Sequence, residues 1–290
     1  MKCFILPIYL KSIGFSIILI GVLEGFAKAI AGMSKGYFGN LSDNKGKRLP
    51  FIQIGYALSA ISKPMMAAFI YPLWIFFART IDRLGKGIRT GARDAMLSDE
   101  ATQETKGRVF GFHRSMDTLG AVLGPVFALI YLAKYPAHYK MLFLIAFVPG
   151  ILAIGFTFWI KEKKKVRIEP KTKTLFWDFI RYWKTSPAIY KRLVIGLLIF
   201  TLFNSSDVFL LLKIKEAGYS DTIVIGIYIF YNVIYVIFSY PIGILADRLS
   251  MKKIFVSGIM LFAFTYIGMA YAKSTLIFFL YGVYCLQAGH

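Results

Sequence analysis

Within the apolar stretch from Leu73 to about Asp99 lie six side chains able to carry charge, bind anions or pass protons: Arg79, Asp82, Arg83, Lys86, Arg89 and Arg93. At about 100° per residue they share an arc of about 120°, one helix face running about 21 Å along the axis. Such a face cannot point at hydrocarbon; it lines a polar cavity or the interface with facing helices. Candidate counter-charges are Glu24 and Asp117, with Asp207, which follows Asn204, Ser205 and Ser206, as a substrate ligand from the second half of the chain. Glu24 and Lys28 stand four apart, the spacing of a helical ion pair.

Two chemistries fit these residues. One is an anion-attracting cavity with a titratable carboxylate. Desolvation raises a buried carboxylate's pKa and a nearby arginine lowers it, so a substrate competing for the arginine would change its proton occupancy. The other is a network of Asp82, Asp117 and the arginines that holds helices together. The residues leave both open. His113 reads as a packing or capping residue and His138 as a loop residue.

Enzyme chemistry finds little support. There is no cluster with metal-ligand spacing and no His-x-x-x-x-Asp pair at a membrane interface, so neither a metal nor a cofactor is expected. Cys3 and Cys285 lie far apart in apolar context, as packing residues do. The formal charge of +20 is compatible with nucleic acid, but here the charges sit between apolar runs long enough to span a bilayer. No nucleic-acid partner is expected.

The elements that must position these residues are membrane helices. Of the 290 residues, 57% are hydrophobic and 17% aromatic, with mean hydropathy +0.61, well beyond what a soluble core needs. Crossings are expected at 15–41, 49–70, 73–99, 109–133, 141–160, 193–212, 222–246 and 254–272, with a stub at 3–10 and a marginal further span at 275–290. Tyr71-Pro72 reads as the turn before the third of these. Nineteen Lys and Arg fall in the loops of one side and six in those of the other, so the first side is cytoplasmic. That side holds the basic segment 161–191, whose amphipathic WDFIRYW patch reads as an interfacial helix.

Two loops repeat: GNLSDNKGKR from Gly39 to Arg48, and GILADRLSMKK from Gly243 to Lys253. Aligning Asp43 with Asp247 also pairs Gly39 with Gly243, Leu41 with Leu245 and Arg48 with Lys252. A glycine admits close helix approach, an aspartate at a helix exit accepts hydrogen bonds, and basic residues hold the loop at the interface. The first loop resembles the loop signature of the major facilitator superfamily, and Gly120-x-x-x-Gly124-Pro125 resembles that family's glycine-proline motif, associated mainly with antiporters. The run from Arg79 to Ala101, followed by 107–125, is similar to a bacterial and archaeal subgroup of mostly unassigned substrate. Ser250 stands where the first loop has Gly46, and Ala92 where the subgroup has proline.

The resemblance implies an all-α polytopic membrane protein of major-facilitator-type bundles, with about nine to ten of the usual twelve helices and both ends truncated. The expected organisation is an N-terminal bundle at 1–160, a cytoplasmic linker at 161–191 and a partial C-terminal bundle at 192–290. It further implies a monomeric secondary transporter of the cell membrane, moving a small-molecule solute by alternating access, with membrane lipids as surroundings and protons as candidate coupling ion in antiport or efflux. Glu24, Arg79, Asp82, Arg83, Lys86, Arg89, Asp117 and Asp207 are its expected substrate and proton pathway. Gly39, Asp43, Gly46, Lys47, Arg48, Gly243, Asp247 and Arg248 are its expected gate, and Gly120, Gly124 and Pro125 its helix bend. The rival readings are a non-transporting remnant, a half needing a separately encoded partner, and a membrane-embedded enzyme.

Overall fold

The computed structural model describes residues 9–10, 13–135, 138–162, 178–203, 221–249 and 251–271. Among them the helices are α1 (Ile17–Lys45), α2 (Leu49–Ala68), α3 (Pro72–Glu100), α4 (Lys106–Lys134), α5 (Tyr139–Thr157), α6 (Asp178–Thr185), α7 (Ala188–Phe203), α8 (Asp221–Arg248) and α9 (Met251–Tyr271). Seven of the eight expected crossings correspond to long helices, the described part of 193–212 lies in α7, and α6 covers residues 178–183 of the amphipathic patch. Cys3, Asp207, Ser250, Cys285 and the marginal span at 275–290 lie outside the described residues, as do most of the 3–10 stub and of the basic linker.

Local chemistry sets the helix ends. The Ser16 hydroxyl accepts from the Leu19 amide at 3.2 Å and opens α1. Gly46 closes it at φ 61°, its amide donating to the Asp43 carbonyl at 3.2 Å, a left-handed cap that a side chain would strain. Pro50 sits in the first turn of α2, and α3 begins at Pro72, as the Tyr71-Pro72 dipeptide requires.

Two compact units emerge. The first holds residues 1–100 and 125–184, the second 101–124 and 185–290, so α4 contributes to the second up to Gly124 and to the first from Pro125. In the first unit α3 packs between α1 and α2. Ile88 and Ala92 of α3 join Phe51 and Ile52 of α2 in one core cluster, flanked by Phe38 and Leu41 of α1. A second cluster brings Tyr9, Leu10 and Phe15 against Leu23, Met66, Ile75 and Ala78. Ile88 lies about 180° around the helix from Arg79, so apolar packing takes one side of α3 and leaves the charged face to the other.

Small residues set how closely the helices approach. A β-carbon on Gly85 would lie 2.7 Å from the Gly55 carbonyl oxygen and 3.0 Å from the Ser59 amide nitrogen. One on Gly87 would strike Ser34, and one on Gly91 would come within 2.9 Å of the Lys35 carbonyl oxygen. The α3 glycines therefore seat it against α2 and α1, as small residues do where backbones meet in lipid. The outward surfaces are apolar: Val22, Phe77, Phe127, Val148, Leu152 and Phe156 are all exposed. In water such surfaces would aggregate. Lys106–Lys134, Tyr139–Thr157 and Ile229–Arg248 are long and apolar enough to cross a bilayer, among the described residues.

The glycine contacts make a paired prediction. Gly85→Ala should lower stability in detergent by about 1–3 kcal/mol, because its methyl meets backbone that cannot rotate away. Gly120→Ala, where the methyl meets nothing within 4 Å, should leave stability unchanged or raise it by up to about 1 kcal/mol. Thermal melting of the two variants in one detergent checks the pair.

Candidate functional site

The charged face of α3 builds a network with α1 and α2. The Arg79 guanidinium donates to Glu24 Oε1 through Nε at 2.8 Å and Nη2 at 2.5 Å, and through Nη1 to Asp82 Oδ2 at 3.3 Å. Arg83 Nη2 reaches Glu24 Oε2 at 3.4 Å. Asp82 Oδ1 accepts from Lys63 Nζ at 2.9 Å and from the Ser62 hydroxyl at 3.3 Å. Lys63 also donates to the Ser59 carbonyl at 3.0 Å and the Ser62 hydroxyl at 3.1 Å, so its ammonium has three acceptors. Arg79 and Asp82 are each only 1% exposed. Charges this deep persist because each opposes another and carries further hydrogen bonds.

One expected pair is rearranged. Glu24 turns both oxygens to Arg79 and Arg83, while Lys28 is exposed. A surface i,i+4 pair is worth a few tenths of a kcal/mol, and a guanidinium sharing two donors with one carboxylate in a desolvated site is stronger. Further along the face, Lys86 is exposed and the Arg89 guanidinium stacks 4.6 Å from the Tyr56 ring centroid. The buried Nε atoms of Arg83 and Arg89 have no hydrogen-bond acceptor among the described residues.

Beyond this core, the ends of α1, α2 and α3 form a second ionic cluster. Arg48 pairs with Asp43 at 2.8 Å and with Asp99. Lys35 and Arg93 share Asp94, at 3.0 and 3.2 Å. Glu162, at the start of the linker, accepts from the Arg48 and Leu49 amides at 2.5 and 3.2 Å. Those amides open α2 and have no partner inside the helix, and a carboxylate there is also favoured by the helix dipole. Lys47 is exposed, and Gly39 lies against Gly91, 3.8 Å from a β-carbon at Gly39 to the Gly91 Cα.

In the second unit, the repeat residue Asp247 does what Glu162 does in the first. Its Oδ1 accepts from the Gly107 amide at 2.6 Å and its Oδ2 from the Arg108 amide at 2.8 Å, capping the first turn of α4. The helices touch through glycine: a β-carbon on Gly243 would run into the Gly107 carbonyl, and one on Gly111 would lie 2.6 Å from the Ser239 carbonyl oxygen. One turn on, Arg114 Nε donates to the Tyr235 hydroxyl at 2.7 Å and Ser115 Oγ to the Val236 carbonyl at 2.6 Å. Asp117, expected opposite the α3 arginines, belongs to this unit, three positions after Arg114 on α4. Arg248 ends α8, exposed. Gly124 and Pro125 lie inside α4.

The sequence pattern thus brings together Glu24, Arg79, Asp82 and Arg83, and joins Asp43 to Arg48. Lys63, Asp94, Asp99, Glu162, Arg114 and Tyr235 were not singled out as site residues. Lys63 carried a usable signal, a lone cation within an apolar span. The others carried none, because their roles depend on which helix ends meet.

Comparison with known proteins agrees with this architecture. A family model described as Major Facilitator Superfamily matches residues 3–289. An uncharacterized MFS-type transporter of Methanocaldococcus jannaschii is 33% identical over 297 aligned positions, covering 99% of this chain and 73% of that protein. An uncharacterized protein of Mycobacterium tuberculosis strain H37Rv is 28% identical over 155 positions, covering 53% of this chain and 38% of its own length. Among solved structures, the inward-open conformation of the xylose transporter XylE from E. coli matches with TM-score 0.57 at 13% identity, covering 93% of this chain and 70% of that one. At that identity the likeness concerns the fold.

Asp82→Asn should leave the Lys63 ammonium without its carboxylate and Arg79 with Glu24 alone, and lower stability by about 3–5 kcal/mol. The double variant Lys63→Met with Asp82→Asn should recover part of that loss. Equilibrium unfolding in mixed micelles reads both, and a double variant no more stable than Asp82→Asn alone would contradict the pairing.

Proposed function

The chain belongs to the major facilitator superfamily, and from that premise we propose that it moves one small solute across the cell membrane by alternating access, with proton exchange as the coupled step. It is a secondary transporter by family and fold rather than an enzyme. The observation that carries the finer reading is the Glu24, Arg79, Asp82, Arg83 and Lys63 network on the charged side of α3. Ionic side chains held this deep in a membrane bundle belong where a solute or proton passes.

In this reading Glu24 is the exchangeable acid. It is more exposed than Asp82, with 24% of its side chain accessible against 1%, and it accepts from two arginines. A solute that takes the Arg83 donor leaves Glu24 with one guanidinium partner in place of two, and a carboxylate that loses a cationic partner binds a proton more readily. Asp117 beside Arg114 supplies a second titratable carboxylate, and Asp207 a ligand from the second half. Asp43 with Arg48, and Asp247 with the first turn of α4, serve as latches: an ion pair and a helix cap each form and break as a unit. Gly46, Lys47, Gly243 and Arg248 shape those latches, and Gly120, Gly124 and Pro125 give α4 its bend. The basic linker lies on the cytoplasmic side and the chain works as a monomer.

The test is solute counterflow into proteoliposomes containing the purified chain, screened over sugars, amino acids, carboxylates, phosphates and organic cations. At least one solute should exchange. Glu24→Gln should abolish uptake driven by a proton gradient while keeping counterflow within about tenfold of wild type, because exchange needs no net proton movement. Proton-driven uptake that survives Glu24→Gln and Asp117→Asn together would refute the coupling.

A further inference from the structure

In the second unit, Arg114 and Asp117 stand three positions apart on α4, a spacing at which opposite charges on a helix face each other. They form no ion pair. Arg114 donates through Nε to the Tyr235 hydroxyl of α8 at 2.7 Å, and among the described residues neither its terminal nitrogens nor the Asp117 carboxylate has a hydrogen bond or ion pair. Tyr235 is a firm anchor, 6% exposed and with its ring stacked on that of Tyr231 at a centroid distance of 6.4 Å. Ser115 fastens the same stretch of α4 to the Val236 carbonyl at 2.6 Å. Base before acid is also the weaker order for a helical pair. The guanidinium is thereby tied to α8, and Asp117 is left without a bonded partner.

Both side chains are exposed, on a helix long and apolar enough to cross a bilayer. They lie about 12 and 16 Å along it from Lys106, too deep for hydrocarbon to be their neighbour. What they face must therefore be polar. A guanidinium with two free nitrogens takes a carboxylate end-on, and a carboxylate takes an ammonium. At this spacing the two β-carbons are about 5–6 Å apart, so one small molecule reaches both groups. A monoanion would meet Arg114 under the repulsion of Asp117, and a monocation would meet Asp117 under that of Arg114, whereas a solute with both charges satisfies both groups at once. With the transport reading above as premise, we infer that the solute is a small zwitterion of the amino-acid type. Its carboxylate binds Arg114 and its ammonium binds Asp117, and Tyr235 is the positioning residue that keeps the two protein charges from closing on each other.

The test measures binding without transport. The purified full chain, in a neutral maltoside detergent at matched ionic strength, is melted with millimolar glycine, leucine, glutamine or phenylalanine. Parallel series use the N-acetyl form of each, which keeps only the anion, and the amide form of each, which keeps only the cation. At least one of the four amino acids should raise the melting temperature, while its N-acetyl and amide forms should not. Titration of that amino acid should show a half-point weakened by about tenfold or more in Arg114→Gln and in Asp117→Asn, and no change in Lys140→Gln, an exposed cation at the start of α5. Should Arg114→Gln fail to fold, Asp117→Asn carries the test, since no described residue is bonded to that carboxylate. Tyr235→Phe should weaken the half-point as well. A hydroxyl with a merely structural role would instead lower the melting temperature of the ligand-free chain and leave the half-point in place, which would overturn its positioning role. The proposal falls if none of the four amino acids stabilises the protein, if an N-acetyl or amide form stabilises as well as its parent, or if binding is indifferent to Arg114 and Asp117. Amino-acid binding without counterflow would sink the transport reading and leave this one. Counterflow of a neutral sugar without amino-acid binding would do the reverse.

Discussion

One guanidinium, that of Arg79, ties together the first three helices of the first unit. It sits almost fully buried on α3, donates to Glu24 of α1 on one side and to Asp82 on the other, and through Asp82 connects to Lys63 of α2. Ion pairs at this depth are weak evidence of net stability, because desolvation offsets much of their attraction. They are nonetheless expensive to break. Once α1, α2 and α3 pack closely enough to bury Arg79, each acid and base must find its partner, and the relative placement of the three helices is tightly constrained. The glycines of α3 make that approach sterically possible, and the apolar cluster around Ile88 and Ala92 supplies the drive on the opposite side of the helix.

The repeated loops show how one sequence pattern serves two bonding roles. Asp43 and Asp247 align residue for residue, yet Asp43 pairs with the Arg48 side chain while Asp247 takes backbone amides at the start of α4. The corresponding backbone cap in the first unit falls to Glu162, from the linker. A carboxylate near a helix start gains both hydrogen bonds and the dipole field, so either arrangement is stable.

Much of this was legible from residue order. The spans followed from apolar length with charges allowed inside it, the α3 face from helical periodicity, and the break at Tyr71-Pro72 from proline sterics. The close approach of Gly85, Gly87 and Gly91 was legible only in type, as small residues beside a charged face. The partner of Glu24 was legible only as a choice between the α3 arginines and Lys28. Lys28 is near in sequence, whereas Arg79 lies 55 positions away and is brought close by packing. Asp94, Asp99 and Glu162 escaped for the same reason, since nothing in their neighbourhoods distinguishes a carboxylate that will meet a distant helix end from one that stays in water. The aromatic partner of Arg89 is a further case: Tyr56 occupies an ordinary position in an apolar span, and only the helix crossing makes it a stacking surface.

A hydrated passage requires that the polar side of α3 meet water while its opposite side does not. Cysteine accessibility tests that directly. With Cys3 and Cys285 replaced by serine, single cysteines at Arg83, Lys86 and Thr90 on the charged side, and at Leu84 and Ile88 on the core side, would be challenged in membrane vesicles with a small, charged, impermeant thiol reagent. Modification at positions 83, 86 and 90, together with protection at 84 and 88, is the predicted pattern. Protection at all five positions, from both sides of the membrane, would mean the charged face is sealed in a dry interior, contradicting a solute pathway along α3.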